Sequence, residues 1–129
     1  MSESVFLEEI QLANGLNVCV KDVTSHYFGG YYHVRLEVSA DVPLALASLA
    51  DNELQEATGL VGDPVYFIRT LERMAVPESG LESVRQELLG AFRTTVLSYL
   101  DRADFAHRFV TSRMNEARRS RHSSLPRYR

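Results

Sequence analysis

The 129-residue sequence contains one cysteine, four prolines, seven glycines and a single lysine. With Cys19 alone, no disulfide can form within the chain, and a cytoplasmic location is the simplest expectation. No apolar run approaches the roughly 20 residues that a membrane-spanning helix needs, so no membrane is expected as a partner. The opening MSESVFLEEIQL carries three glutamates and no basic residue before an alternating pattern, the wrong chemistry for a signal peptide. Glycine-rich phosphate loops, CxxC pairs, HExxH and GxSxG are all missing, which removes the strong signatures of catalysis. No cofactor is implied, and an enzyme is the less favoured reading.

What is present is globular. Apolar residues make up 45% and charged residues 24%, and a chain of this length can bury roughly two thirds of its unfolded surface in one core. A formal net charge of -3 hides a split. Residues 1–67 hold two basic side chains, Lys21 and Arg35, against ten acids, whereas residues 68–129 hold twelve arginines against seven acids. From position 118 onward come Arg118, Arg119, Arg121, Arg127 and Arg129, with no acid between them. An acidic body argues against general nucleic-acid binding, while this tail is a candidate anion-binding segment. Thirteen arginines against one lysine read as the codon bias of a GC-rich, bacterial-type genome.

The first half reads as strands. Phe6, Ile10 and Leu12, then Leu16, Val18 and Val20, fall on alternate positions around Ala13-Asn14-Gly15. A three-residue loop with Gly15 left-handed pairs Leu12 with Leu16 and Ile10 with Val18 on one face; Glu8 opposite Val20 is the one poor fit. A third strand over 31–39 turns Val34, Leu36 and Val38 inward and His33, Arg35 and Glu37 outward, after a turn at Gly29-Gly30. Residues 44–49 suit either a fourth, edge strand or the start of a helix.

The second half reads as helices. Asp51 can cap a short helix carrying Leu54, Ala57 and Leu60. Asp63-Pro64 resembles a helix start, and Phe67, Ile68, Leu71, Met74 and Ala75 then make one helical stripe; the β-branched opening Val65-Tyr66-Phe67-Ile68 keeps a strand reading open. A long helix over 81–100 follows, with Gly90 inside it as a candidate close-contact point. Asp101 can cap a last helix bearing Phe105, Phe109, Val110, Met114 and Ala117, with Asp104 in its first turn. The expectation is a single α+β domain over 1–121, an antiparallel meander of three to four strands followed by three to four helices packed on one sheet face, with a flexible Arg-rich tail over 122–129.

Three candidate sites emerge. Tyr27, Phe28, Tyr31 and Tyr32 crowd the turn at Gly29-Gly30 and can form a protein-binding patch, since aromatics combine large area with a polar tip. A two-residue loop there sets His26 opposite His33 and Asp22 opposite Glu37, a possible metal face. That same loop turns Val34 and Leu36 away from Val18 and Val20 unless a bulge falls near Lys21 or Asp22. Arg118, Arg119, Arg121, Arg127 and Arg129 form the third candidate, for anions. Cys19 and His107 read as ordinary surface positions. The favoured function is a small non-enzymatic protein-binding or adaptor protein, with an open sheet edge that suits a homodimer. The alternatives are a metal-dependent enzyme or metal-binding protein and a weak binder of nucleic acid or another anionic surface.

Overall fold

The computed structural model describes residues 4–123. Its elements are β1 (Val5–Gln11), β2 (Asn17–Asp22), β3 (Ser25–Phe28), β4 (Tyr31–Val42), α1 (Asp51–Val61), β5 (Val65–Pro77), α2 (Leu81–Ala91), α3 (Leu97–Leu100) and α4 (Phe105–Ser123). A 3-10 turn at Leu44–Ala47 precedes α1, and a π-helical turn at Phe92–Val96 joins α2 to α3. This is the α+β class, with strands leading. Among the described residues no helix is long and apolar enough to cross a membrane.

The chain forms two compact units. One comprises the described residues up to Asp41 together with Tyr66–Arg102; the other comprises Val42–Val65 and the described residues from Ala103.

In the first unit, β1 and β2 form the hairpin expected from the parity of their apolar residues. Gln11 pairs with Asn17 and Ile10 with Val18, Leu12 N–H donates to the Leu16 carbonyl at 2.8 Å, and Gly15 has φ 98. Only glycine adopts that value cheaply, so the loop length and the residue type agree. Glu8 does lie opposite Val20, and the register shifts immediately beside it, between Phe6 and Glu8. Its carboxylate is occupied, accepting from Arg93 Nη2 at 3.0 Å.

β2 and β3 lie along the same edge of β4 and keep one register: Val18 pairs with Ala40, Asp22 with Leu36 and Ser25 with His33. Val18, Val20, Val34, Leu36 and Val38 are all fully buried, so this register puts the apolar residues of both strands on one face. The helical run from Leu81 to Leu100 covers that face. Its buried residues Leu88, Leu89, Phe92, Val96 and Leu100 recur at the spacing of one helix stripe. Three polar ties fix it: Arg85 to Asp22, Arg93 to Glu8, and the Leu100 carbonyl to Asn14 Nδ2. Within the run, Leu97 N–H reaches back five residues to the Phe92 carbonyl. Thr94 and Thr95 hydroxyls bond the carbonyls of Gly90 and Ala91, the side-chain competition that distorts α-helical ladders.

Gly90 is not a close-contact point, contrary to the sequence reading: a Cβ there would meet nothing within 4 Å. Gly90→Ala should therefore stabilise the protein by about 0.5–1 kcal/mol through helix propensity. Thermal denaturation should show a melting point raised by about 3 °C; a fall would mean the helix must open at that position.

Residues 65–75 are a strand, and the helical reading is corrected. Val65 and Phe67 are buried while Tyr66 and Ile68 are exposed, a period of two that fits their β-branched and aromatic character. The free edge of β4 takes up the backbone: Glu78 N–H donates to the Gly30 carbonyl, and His33 meets Glu72, so β5 runs antiparallel to β4. Ala75 has φ 56, which breaks the alternation and returns Val76 to the core. Asp63 starts no helix; its carboxylate instead accepts from Leu44 N–H at 3.0 Å.

The second unit pairs α1 with α4 and the 3-10 turn with α4. Residues 44–49 thus contain a 3-10 turn rather than an edge strand. Asp51 opens α1 rather than capping it: Ala50 is the cap, and its N–H donates to Glu53. Asp101 belongs to the end of α3, and α4 begins at Phe105, with the Asp104 carbonyl accepting from Arg108 N–H. Phe105, Val110 and Met114 are buried, and Arg118 reaches Glu56 on α1 at 2.9 Å.

Candidate binding site at the hairpin end

The hairpin end is built by a two-residue turn and one bulge. Phe28 pairs with Tyr31 across Gly29-Gly30, while His26 pairs with Tyr32, so Tyr27 is the extra residue. Gly29 has φ 56, the left-handed conformation a tight hairpin turn requires. His26 Nε2–H donates to the Gly29 carbonyl, and its ring meets Tyr32 edge-on at 5.3 Å. The turn is therefore held on its core side by His26 and Tyr32.

The other side is apolar and open. Phe28 is 72% exposed, Tyr27 54% and Tyr31 47%, and Met74 on β5 is 49% exposed. Phe28 and Tyr31 share a face as directly paired residues. Met74 lies on β5 between the two points where that strand meets the start of β4, Glu72 at His33 and Glu78 at Gly30. Three adjacent strands thus present large apolar side chains at one end of the sheet. The aromatic residues were visible in the sequence. Met74 was not, because the strand that carries it reads as a helix stripe.

The same bulge separates the candidate metal ligands. It sets His26 opposite Tyr32, and the register beyond it sets Asp22 opposite Leu36 and Glu37 opposite Lys21. His26 and Asp22 consequently share the core face, and His33 and Glu37 lie on the other. His33 Nε2–H donates to Glu72 at 2.5 Å. Among the described residues, no group of three or more His, Cys, Asp or Glu side chains is placed to hold a metal. The four residues His26, His33, Asp22 and Glu37 are not brought together.

Asp22 instead ties the sheet to α2. It is 8% exposed and accepts from Thr24 N–H at 2.9 Å, from Thr24 Oγ1 at 2.5 Å and from Arg85 Nε at 2.6 Å. Burial pushes its carboxyl pKa up, but the Thr24 and Arg85 donors outweigh that and hold it below the ordinary value. Arg85 shows the mirror case: burial opposes its charge, and its bonds to Asp22 and Glu82 raise its pKa on balance.

No family model, curated protein or solved structure matches this chain. The functional reading rests on its own geometry.

Elsewhere on the open sheet face, Asn17, Cys19, Lys21, Ser39, Asp41 and Tyr66 line a cleft of about 300 Å³. Cys19 is half-buried there, opposite Ser39 on one side and Glu9 on the other, with no histidine in the lining to act as a base. Of the arginine candidates, Arg118 is engaged with Glu56 and Asn115, Arg119 is exposed on α4, and Arg121 is on its last turns. Arg127 and Arg129, with most of the expected tail over 122–129, lie outside the described residues.

Proposed function

We propose that this chain is a small, non-enzymatic protein-binding protein of the bacterial cytoplasm that docks a partner protein on the end of its hairpin. The observation that carries the reading is the exposed set Phe28, Tyr31 and Met74, from three neighbouring strands, around a turn anchored from behind by His26. A rigid turn loses little entropy on binding, and aromatic side chains bury about 150–250 Å² each. Two such anchors are typical of the few residues that dominate an interface. The lone cysteine and the missing catalytic motifs agree with a binding role inside the cell.

The test uses a photo-reactive analogue in place of Tyr27, with Phe28→Ala and Tyr31→Ala as the loss variant. A discrete cross-linked adduct should form in cells, and the double variant should reduce it about 30-fold or more, from about 1–2 kcal/mol per anchor. Its melting point should move by no more than about 2 °C. A fall of ten degrees would make the rings structural and end the proposal, as would an adduct that survives the double variant. Light scattering separates the partner classes: a mass near twice 14.6 kDa that halves in the variant identifies the partner as a second copy, the homodimer that the open sheet edge suggests.

A further inference from the structure

The geometry points to the outward face of α4 as a surface for the phosphate backbone of nucleic acid. His107, Arg108, Thr111, Ser112, Asn115 and Arg119 line a cleft of about 330 Å³. Positions 108, 111, 112, 115 and 119 recur at intervals of three and four and so form one stripe of the helix. Arginine stands at each end, with two hydroxyls and an amide between, and no carboxylate lies in the lining. Of the two carboxylates of this region, one reaches the edge of the face and the other does not. Asp104 sits at the start of the helix, paired with Arg108 at 3.0 Å, and Glu116 faces a second cleft beside Leu60 and Val61.

The spacing suits a charged polymer. Eleven residues separate Arg108 from Arg119, about 16 Å at 1.5 Å per residue. A nucleic-acid strand offers a phosphate about every 3.4 Å of axis, so roughly four or five phosphates span that distance. Serine, threonine and asparagine are the neutral side chains that commonly bond phosphate oxygens between arginine contacts. On the face itself positive charge prevails, two arginines against the Asp104 carboxylate at its edge, although the whole chain is at -3. His107 is oriented by its Nδ1–H bond to the Ala47 carbonyl at 2.8 Å. The contacts on this face are to backbone phosphates, so binding is indifferent to base sequence. This inference is independent of the hairpin-end reading, which uses other residues and another class of partner.

Fluorescence anisotropy with a labelled 20-base-pair DNA duplex tests it on the full chain. Binding at about 50 mM salt should weaken about tenfold at about 200 mM, the loss expected when two arginines neutralise two phosphates. Arg108→Gln with Arg119→Gln should weaken binding about tenfold at the lower salt and make the log-log slope shallower by about 2. Ser112→Glu, which adds one negative charge mid-face, should weaken it comparably, with circular dichroism checking that both variants stay folded. No binding at the lower salt would overturn the proposal. So would binding unaffected by either folded variant, or equally tight binding of labelled polyglutamate, which would reveal a preference for acidic protein chains.

Discussion

Phe92→Ala should destabilise the first unit by about 3–5 kcal/mol, a melting point lowered by roughly 10–20 °C. Phe92 is fully buried and opens the π-helical turn in the helical run that covers the sheet. Its ring belongs to the buried stripe with Leu88, Val96 and Leu100. Truncation removes the transfer energy of the ring and leaves a cavity, because packed neighbours relax only partly. Urea denaturation should show a lower midpoint with the slope unchanged, the mark of lost stability rather than a changed end state. Phe92→Leu, which refills most of the space, should cost about 1.5 kcal/mol. A cost under about 1 kcal/mol for the alanine variant would contradict the helix-on-sheet packing.

The parts of this fold that could be read from sequence are those set by local period and parity. The β1–β2 loop follows from requiring Ile10 and Val18 on one face, and the long helix follows from Leu81, Val84, Leu88, Phe92, Val96 and Tyr99 at spacings of three and four, although Tyr99 is exposed and Leu100 takes its place in the core. The errors share a cause, which is that the deciding contact is distant in sequence. Residues 65–77 satisfy a helical stripe and a strand alternation about equally, and the choice falls to the free edge of β4, some forty residues earlier in the chain. Asp63 has the chemistry of a helix cap, yet its acceptor is used by Leu44. At the hairpin end the residue types were legible but their grouping was not. One bulge at Tyr27 decides which side chains share a face, and it sends His26 and His33 apart while leaving Phe28 and Tyr31 together. The parity of Val34 and Leu36 with Val18 and Val20 calls for a bulge near Lys21 or Asp22, but it falls at Tyr27 instead. On α4 the sequence drew attention to the arginines from Arg118 onward, and Arg108, which lies on the same stripe as Ser112 and Arg119, was passed over because it stands outside that cluster.

Asp22 and Arg85 are sixty-three residues apart and joined at 2.6 Å, a pairing that neither local sequence hints at. Arg85→Met should cost about 2–3 kcal/mol at about pH 7, because the variant leaves a nearly buried carboxylate without its cation. The value falls at the low end for a buried pair, since Thr24 keeps its two bonds to Asp22 and the Arg85 side chain is 24% exposed. The pH dependence separates charge from packing. With its folded pKa held below the ordinary 3.8, Asp22 binds fewer protons in the folded state than in the unfolded state as pH drops through that window. Its contribution is therefore complete above 3.8 and is lost as pH falls through the lower folded value. In Arg85→Met the donors that depress the pKa are reduced while burial still raises it, so the variant loses its smaller contribution at a higher pH. Urea midpoints measured across this range should show the gap between wild type and variant at its full size near neutrality, shrinking as Asp22 becomes protonated in the folded wild type below 3.8. A gap that stays constant as Asp22 is protonated would mean Arg85 acts through the packing of its aliphatic stem rather than through its charge.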